Sequence, residues 1–331
     1  MLFLRASSAL LLFALVALVA PVPLGAQIPA ADTISIVLTP AYPKPYEIVT
    51  ISPRSTVVNL AASAVTVSVD GAVVEEGSGT KPTAVQLGGA GTRTLIRVSV
   101  RDSEGQTYVK ELTLRPSDVA LVMEPVSTAH PFYQGGLLVA PEGRVRMVAI
   151  ADFRSSPGTI IPPASLVYTW KNGDRILQDQ SGIGRSVLDA TAPLRYRDAR
   201  ISLTVTTQDR TMVGAASVTV SPVDPTVRVY RTGPLLGPSY ESAITDTAVM
   251  TGTEDTFRAV PYFFSSTPAF LWTVNGTGSE ADRDLTVRVT EQGRGTARIG
   301  VTAQLPGAAK SASYAFPLEF GGTGSTNIFG I

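Results

Sequence analysis

Cysteine is absent from this 331-residue chain, histidine occurs once and tryptophan twice. Without cysteine there is no disulfide framework, no thiolate metal site, no thiol nucleophile and no lipid anchor on a processed cysteine. Such a chain must be held together by apolar burial and hydrogen bonding, which units of about ninety to a hundred residues can manage. An excess of either charge is also lacking, since 27 Lys and Arg face 27 Asp and Glu. The balance holds locally: residues 27–117 carry 8 basic and 8 acidic side chains, 118–222 carry 10 and 9, and 223–331 carry 8 and 10. No third has the electrostatic footprint of a nucleic-acid or anionic-membrane binder, so no nucleic-acid partner is expected.

Long apolar runs are missing except at the start. Arg5 precedes Ala9-Leu-Leu-Leu-Phe-Ala-Leu-Val-Ala-Leu-Val-Ala20, followed by Pro21-Val-Pro-Leu-Gly-Ala26. A basic start, a short apolar stretch and a small-residue end match a secretory signal peptide over residues 1–26, cut after Ala26. The alternative is an uncleaved anchor, but the run of 12 residues is well short of the ~20 a spanning helix needs. The reading is an exported chain, periplasmic, cell-surface or extracellular, with no transmembrane segment once the signal is removed.

What the sequence does have is alternation. Leu166-Val-Tyr-Thr-Trp-Lys-Asn-Gly173 places Leu166, Tyr168 and Trp170 on one face of a strand and closes on an Asn-Gly turn signal. The figure recurs as Val65-Thr-Val-Ser-Val-Asp-Gly71 and Phe270-Leu-Trp-Thr-Val-Asn-Gly276, whose terminal glycines lie 102 and 103 positions apart. A strand and turn returning at the length of one small β-domain predicts three tandem sandwiches. Further strands read as Leu95–Arg101, with Ile96, Val98 and Val100 on the apolar face, and Ala199–Thr206, with Ile201, Leu203 and Val205 inward. No helix longer than a turn or two is expected. Proline-bearing links at Arg115-Pro-Ser-Asp118 and Ser221-Pro-Val-Asp-Pro225 divide the chain into 27–117, 118–222 and 223–320, with a glycine-rich, flexible tail at 321–331.

The Tyr168-Thr-Trp-Lys-Asn-Gly-Asp-Arg-Ile-Leu177 stretch resembles the strand C to C′ region of immunoglobulin-like and PKD-like domains. The resemblance implies a tryptophan packed across each sandwich, which Trp272 before Asn275-Gly276 repeats and the first unit replaces with Val67. The paired cysteines of antibody domains and the Asp-Phe-Gly-Asp-Gly turn of PKD repeats are both missing. The broader likeness is to bacterial exported proteins built of immunoglobulin-like repeats, which implies a surface, periplasmic or filament-associated role.

Constellations able to carry chemistry are sparse. Any histidine triad or metal site would be built on His130, which reads as an exposed loop residue, and no Gly-x-Ser-x-Gly motif occurs. The acidic clusters Glu75-Glu76, Glu254-Asp255 and Asp282-Arg-Asp284 adjoin turn residues, where acids are solvated or cap the backbone; calcium at an interdomain turn through Asp282 and Asp284 is the alternative. Tyr168, Trp170 and Trp272 read as core rather than as sugar-stacking platforms. Two irregular segments, pairing Pro131-Phe-Tyr133 with Pro238-Ser-Tyr240, supply candidate partner contacts at Phe132, Tyr133, Leu137, Leu235, Leu236 and Tyr240, or else seal the interdomain joint. Ile328 and Phe329 form an apolar tip to the tail, a candidate strand for donation to another subunit.

The fold expected is all-β, three tandem immunoglobulin-like sandwiches. The function expected is a non-enzymatic structural or adhesion-type role at the bacterial envelope, with no cofactor, no metal, and other envelope or surface proteins, or carbohydrate, as partners. An accessory subunit of a surface filament or secretion assembly, tethered by its tail, is the alternative.

Overall fold

The computed structural model describes residues 33–79, 81–250, 252–278, 282–289, 294–306 and 311–321. The expected signal segment lies outside them. Among the described residues there is no α-helix, only the single 3-10 turns Leu60–Ala62, Pro163–Ser165 and Gln178–Gln180. No helix is long and apolar enough to cross a membrane.

The strands form three two-sheet sandwiches in sequence order. In the first, Ser35–Thr39, Ile48–Arg54 and Thr83–Gln86 face a four-stranded sheet of Ala72–Ser78, Ala64–Val69, Thr94–Arg101 and Thr107–Leu114. In the second, Val187–Thr191, Arg144–Asp152 and Asp118–Pro125 face a sheet built on Val167–Asn172, Ala199–Thr206 and Val213–Val220. In the third, Gly237–Ala243, Thr226–Gly233, Glu254–Tyr262 and Asp284–Arg288 face Ala248–Val249, Ser311–Phe320, Gly295–Gln304 and Ala269–Val274. Each pair of sheets encloses its own apolar cluster, fed by alternating side chains: Ile96, Val98 and Val100 in the first, Ile201, Leu203 and Val205 in the second.

Register shows what the repeat consists of. Val67, Trp170 and Trp272 lie opposite Val98, Leu203 and Val301 on the adjacent antiparallel strand, so they occupy one structural position. Both tryptophans are fully buried, and each donates its indole N–H to a main-chain carbonyl, Trp170 to Arg185 (2.9 Å) and Trp272 to Asp282 (3.0 Å). Each acceptor lies two residues before a strand of the opposite sheet, Val187–Thr191 or Asp284–Arg288. Tyr168, also buried, donates its hydroxyl to Pro163 O at 3.1 Å. These rings are core and cannot stack on a sugar.

The turn after the tryptophan corrects the sequence expectation. Asp70-Gly71 and Asn275-Gly276 are two-residue loops with positive φ at both positions, as a type I′ turn requires. In the second sandwich Asn172 still pairs, with Arg175, so the loop is Gly173-Asp174. Gly173 then stands at the first corner with φ +58°, where a type II′ turn wants glycine. The structural equivalents are Asp70, Gly173 and Asn275, whose N–H groups donate to Leu95, Arg200 and Arg298 O. Asp70 and Asn275 also accept from the N–H of Leu95 and Arg298 through their side chains, each at 2.8 Å. The glycines that mark the repeat in the sequence are therefore offset by one residue in the fold.

The sandwiches touch at both joints. Gly91 (φ +85°) lies so near the Ser156 carbonyl that a Cβ would come within 2.5 Å of it. Lys44 pairs with Asp118 at 2.9 Å, and Ser117 Oγ donates to Val213 O at 3.0 Å. Between the second and third sandwiches Val223 N–H donates to Val139 O, and Arg195 forms a two-pronged ion pair with Asp224, holding that carboxyl below its ordinary range.

Burying about 200 Å² of tryptophan contributes on the order of 5 kcal/mol. Trp170→Ala and Trp272→Ala are each expected to destabilise their own sandwich by about 3–5 kcal/mol. Since the chain has two tryptophans, fluorescence-monitored denaturation of either variant reads the remaining indole. Circular dichroism should show a separate, earlier loss for the altered sandwich, with the remaining indole's transition moved by less because the two sandwiches share only the joint.

Candidate functional site

Chemistry-bearing side chains gather on the outer face of the third sandwich. The strand Thr226–Gly233 puts Val227 and Val229 into the core, so Tyr230 points outward; on Glu254–Tyr262, Phe257 and Ala259 point in while Val260 and Tyr262 join Tyr230 in a separate apolar cluster. An apolar outer face needs a cover, and the second sandwich provides it. Past Asp118–Pro125 the chain runs to Gly143 without strand or helix. Thr128 fastens it down: its N–H donates to Phe264 O (2.9 Å), its carbonyl accepts from Phe263 N–H (2.8 Å), and its hydroxyl oxygen accepts from Phe264 N–H (3.1 Å). Phe263 is held there at φ +60°, in the sparsely populated left-handed region.

Beyond that clasp His130 lies flat on Tyr240, with centroids 4.8 Å apart and planes 7° from parallel, and meets Tyr133, Tyr230 and Tyr262 edge-on. Its Nδ1 accepts from Phe132 N–H at 3.1 Å. The expectation of an exposed loop histidine is thus corrected: the ring is half-buried because the aromatic face of the next sandwich receives it. The Tyr230 and Tyr262 hydroxyls are 2.6 Å apart. Burial, reinforced by that bond, pushes the Tyr262 phenol well above its ordinary range, so it stays protonated at neutral pH and is no base or nucleophile.

The candidate contacts divide between this joint and the surface. Tyr133 and Tyr240 pack into the cluster. Phe132 is 73% exposed, with its ring 6.0 Å from that of Tyr240, and Leu137 lies at the surface further along the same segment. Ile328 and Phe329 lie outside the described residues. The supposed equivalence of Pro131-Phe-Tyr133 and Pro238-Ser-Tyr240 does not hold, since the second is part of a strand, Gly237–Ala243, hairpin-paired with Thr226–Gly233. The connection is three residues, Pro234-Leu235-Leu236, closed by Gly237 at φ +73°, the geometry of a three-residue hairpin loop. Leu235 and Leu236 stand at its tip, each 95% exposed.

Both arms of this hairpin, with residues 254–256 and Arg258 of the adjoining strand, line a groove of 770 Å³. Smaller recesses of 310 and 260 Å³ occur near the joint of the first two sandwiches. Each acidic cluster has members paired with cations: Glu75 with Lys81, Glu254 with Arg288, Asp255 with Arg231 and Asp284, through both oxygens, with Arg258, while Asp282 accepts from the Arg283 N–H. Asp282 and Asp284 lie within the third sandwich rather than at an interdomain turn, and no group of three or more metal-ligating side chains occurs among the described residues. Sequence reasoning missed Thr128, Tyr230 and Tyr262; the legible signal for the tyrosines is an aromatic ring at the outward position of an alternating strand.

No protein-family model matches the chain, and no curated protein is similar to it in sequence. Similar solved structures include the three N-terminal domains of the Highly Immunogenic Outer Capsid protein of bacteriophage RB49, 12% identical with a TM-score of 0.28, covering 88% of this chain and 99% of that one. Others are the fibronectin(III)-like modules of Clostridium thermocellum CbhA (14%, TM-score 0.22, 61% and 95%) and the central fibronectin-III array of RIM-binding protein (9%, TM-score 0.28, 86% and 95%). The class of this chain, tandem all-β sandwiches, rests on its own strand pairing.

The Tyr262 phenol yields an alkaline prediction. Its folded pKa is raised above the ordinary value of 10, so its stabilising contribution is complete below pH 10 and is lost as pH rises beyond it. Urea midpoints of the third sandwich should fall above pH 10, and Tyr262→Phe should flatten that fall. At pH 7 Tyr230→Phe and Tyr262→Phe should each cost about 1–2 kcal/mol, and the double variant less than their sum, because it leaves no hydroxyl without a partner.

Proposed function

We propose that this chain is an exported, non-enzymatic protein of the bacterial cell envelope or surface, in which tandem sandwiches space and present a binding hairpin. The observation that carries this reading is the tip, where Leu235 and Leu236 stand side by side, each 95% exposed. Scattered apolar side chains are ordinary on protein surfaces. Two adjacent leucines on a protruding loop forgo about 1.5–3 kcal/mol each relative to burial, which an apolar recess on a partner protein would restore. Phe132 and Leu137, exposed on the segment that covers the third sandwich, add apolar surface. The non-enzymatic part rests on committed chemistry: the histidine is stacked among tyrosines, and Asp255, Asp284 and Glu254 are ion-paired with arginines. Export rests on the signal-like residues 1–26.

Fractionation of the native host is the test. The chain should begin at Gln27 and sit in the envelope or the medium, and cross-linking there should capture a surface protein. Leu235→Ser with Leu236→Ser should leave the melting curve within about 0.5 kcal/mol of the parent and cut the cross-linked yield at least tenfold. Deleting residues 321–331 should leave that yield intact; release on deletion would favour a tail-tethered accessory subunit instead. A cytoplasmic, unprocessed chain would sink the proposal.

A further inference from the structure

We infer that the groove beside the hairpin of the third sandwich binds a neutral polyhydroxylated ligand, a saccharide. The inference deepens the presenting role proposed above, on which it rests only in taking the third sandwich as the binding unit.

The groove's 770 Å³ lies within the roughly 300–1,000 Å³ typical of small-molecule sites. Four buried side-chain polar atoms lack a hydrogen-bond partner among the described residues, and two of them, Thr232 Oγ1 and Asp255 Oδ2, belong to residues lining this groove. Asp255 is 9% exposed; its Oδ2 faces the Arg231 guanidinium at 3.4 Å as an ion pair but accepts no hydrogen bond. Buried polar groups are rarely left so, and a ligand rich in hydroxyls supplies both the donor for the carboxylate and a partner for the threonine.

Charge selects the ligand's class. Arg231 and Arg258 are offset by Glu254 and Asp255 in the lining itself. Adding the pairing partners Arg288 and Asp284 leaves the balance even. Neither an anion nor a cation gains from such a site. An extended peptide is disfavoured because its usual hold is a free strand edge, and the one edge strand lining the groove, Gly237–Ala243, carries Pro238, which has no N–H to give a ladder. The hairpin wall contributes Pro234 and Pro238, carbon surface for a sugar face, and the Ser239 hydroxyl.

The experiment is affinity electrophoresis of the purified mature chain through gels cast with dextran, mannan, xylan, galactan or mixed-linkage β-glucan, with polygalacturonate and chitosan as charged controls. At least one neutral polymer should retard the chain. Thr232→Val and Asp255→Asn should each weaken that retardation tenfold or more. Ser239→Trp, which fills the groove without touching the buried pair, should abolish it with an unchanged melting curve. Retardation by no neutral polymer, equal retardation of Ser239→Trp, preference for a charged control, or capture of synthetic peptides alone would each overturn the inference. Leu235→Ser with Leu236→Ser should leave saccharide binding unchanged, so a failed partner contact or a cytoplasmic location removes the previous reading and not this one.

Discussion

An indole N–H reaching a carbonyl of the facing sheet is the interaction on which the second and third sandwiches are built. A chain without cysteine cannot bolt its sheets together covalently, so apolar burial has to fix their separation and relative rotation. Trp170 and Trp272 do both: the ring fills the gap between sheets, and the bond to Arg185 or Asp282 O ties that filling to one lateral position. The indole's single donor, buried, would oppose folding if unmet; met by a carbonyl just before an opposing strand, it fixes where that strand begins. The first sandwich holds Val67 at the same place and closes without such a tie, packing the branched side chains Val65, Val98 and Ile96 around it.

The joint between the second and third sandwiches follows from an outer sheet face that is itself apolar. Tyr230, Val260 and Tyr262 would be wet in an isolated domain, and they are dry here because the segment after Pro125 crosses the boundary to cover them. The cover is specific rather than greasy. Thr128 engages the main chain of the next sandwich in three bonds, and the paired tyrosine hydroxyls satisfy each other inside the cluster. Coupling of this kind carries orientation, since aromatic rings meeting edge-on and stacked have preferred geometries where aliphatic contacts do not.

Period-two alternation made the sheets and their inward faces legible, because burial on one side of a strand leaves that mark on the sequence whatever lies around it. The tryptophan position was legible for the same reason. The turn in the second unit was misread by one residue, since Asn172-Gly173 and Gly173-Asp174 are both good corners and only pairing with Arg175 decides between them. Contacts between sandwiches were legible only as the alternative that the two irregular segments seal the joint, as Tyr133 and Tyr240 do. His130 has the local sequence of a loop, and nothing near it in the chain says that Tyr240, over a hundred positions on, will lie beneath its ring. The segment around Leu235 looked irregular because glycine and proline crowd it; these residues are the corners of a hairpin rather than the absence of strand.

That hairpin is the barest apolar point of the described surface. Apolar side chains are exposed elsewhere too, among them Val57, Ile183 and Tyr196, but none as fully as the adjacent Leu235 and Leu236, and each acidic cluster has a member paired with an arginine or lysine. Two leucines at a glycine- and proline-bounded tip gain nothing for the fold by being there, since a tight turn is served equally well by polar residues. The groove lined by both arms of the same hairpin is charge-balanced, with a carboxylate oxygen and a hydroxyl buried without hydrogen bonds. A folded domain does not need either feature, and both sit on one strand pair whose register is already fixed by its neighbours. Stability therefore explains the scaffold down to the hairpin's base, and recognition is the reading we propose for what the hairpin carries.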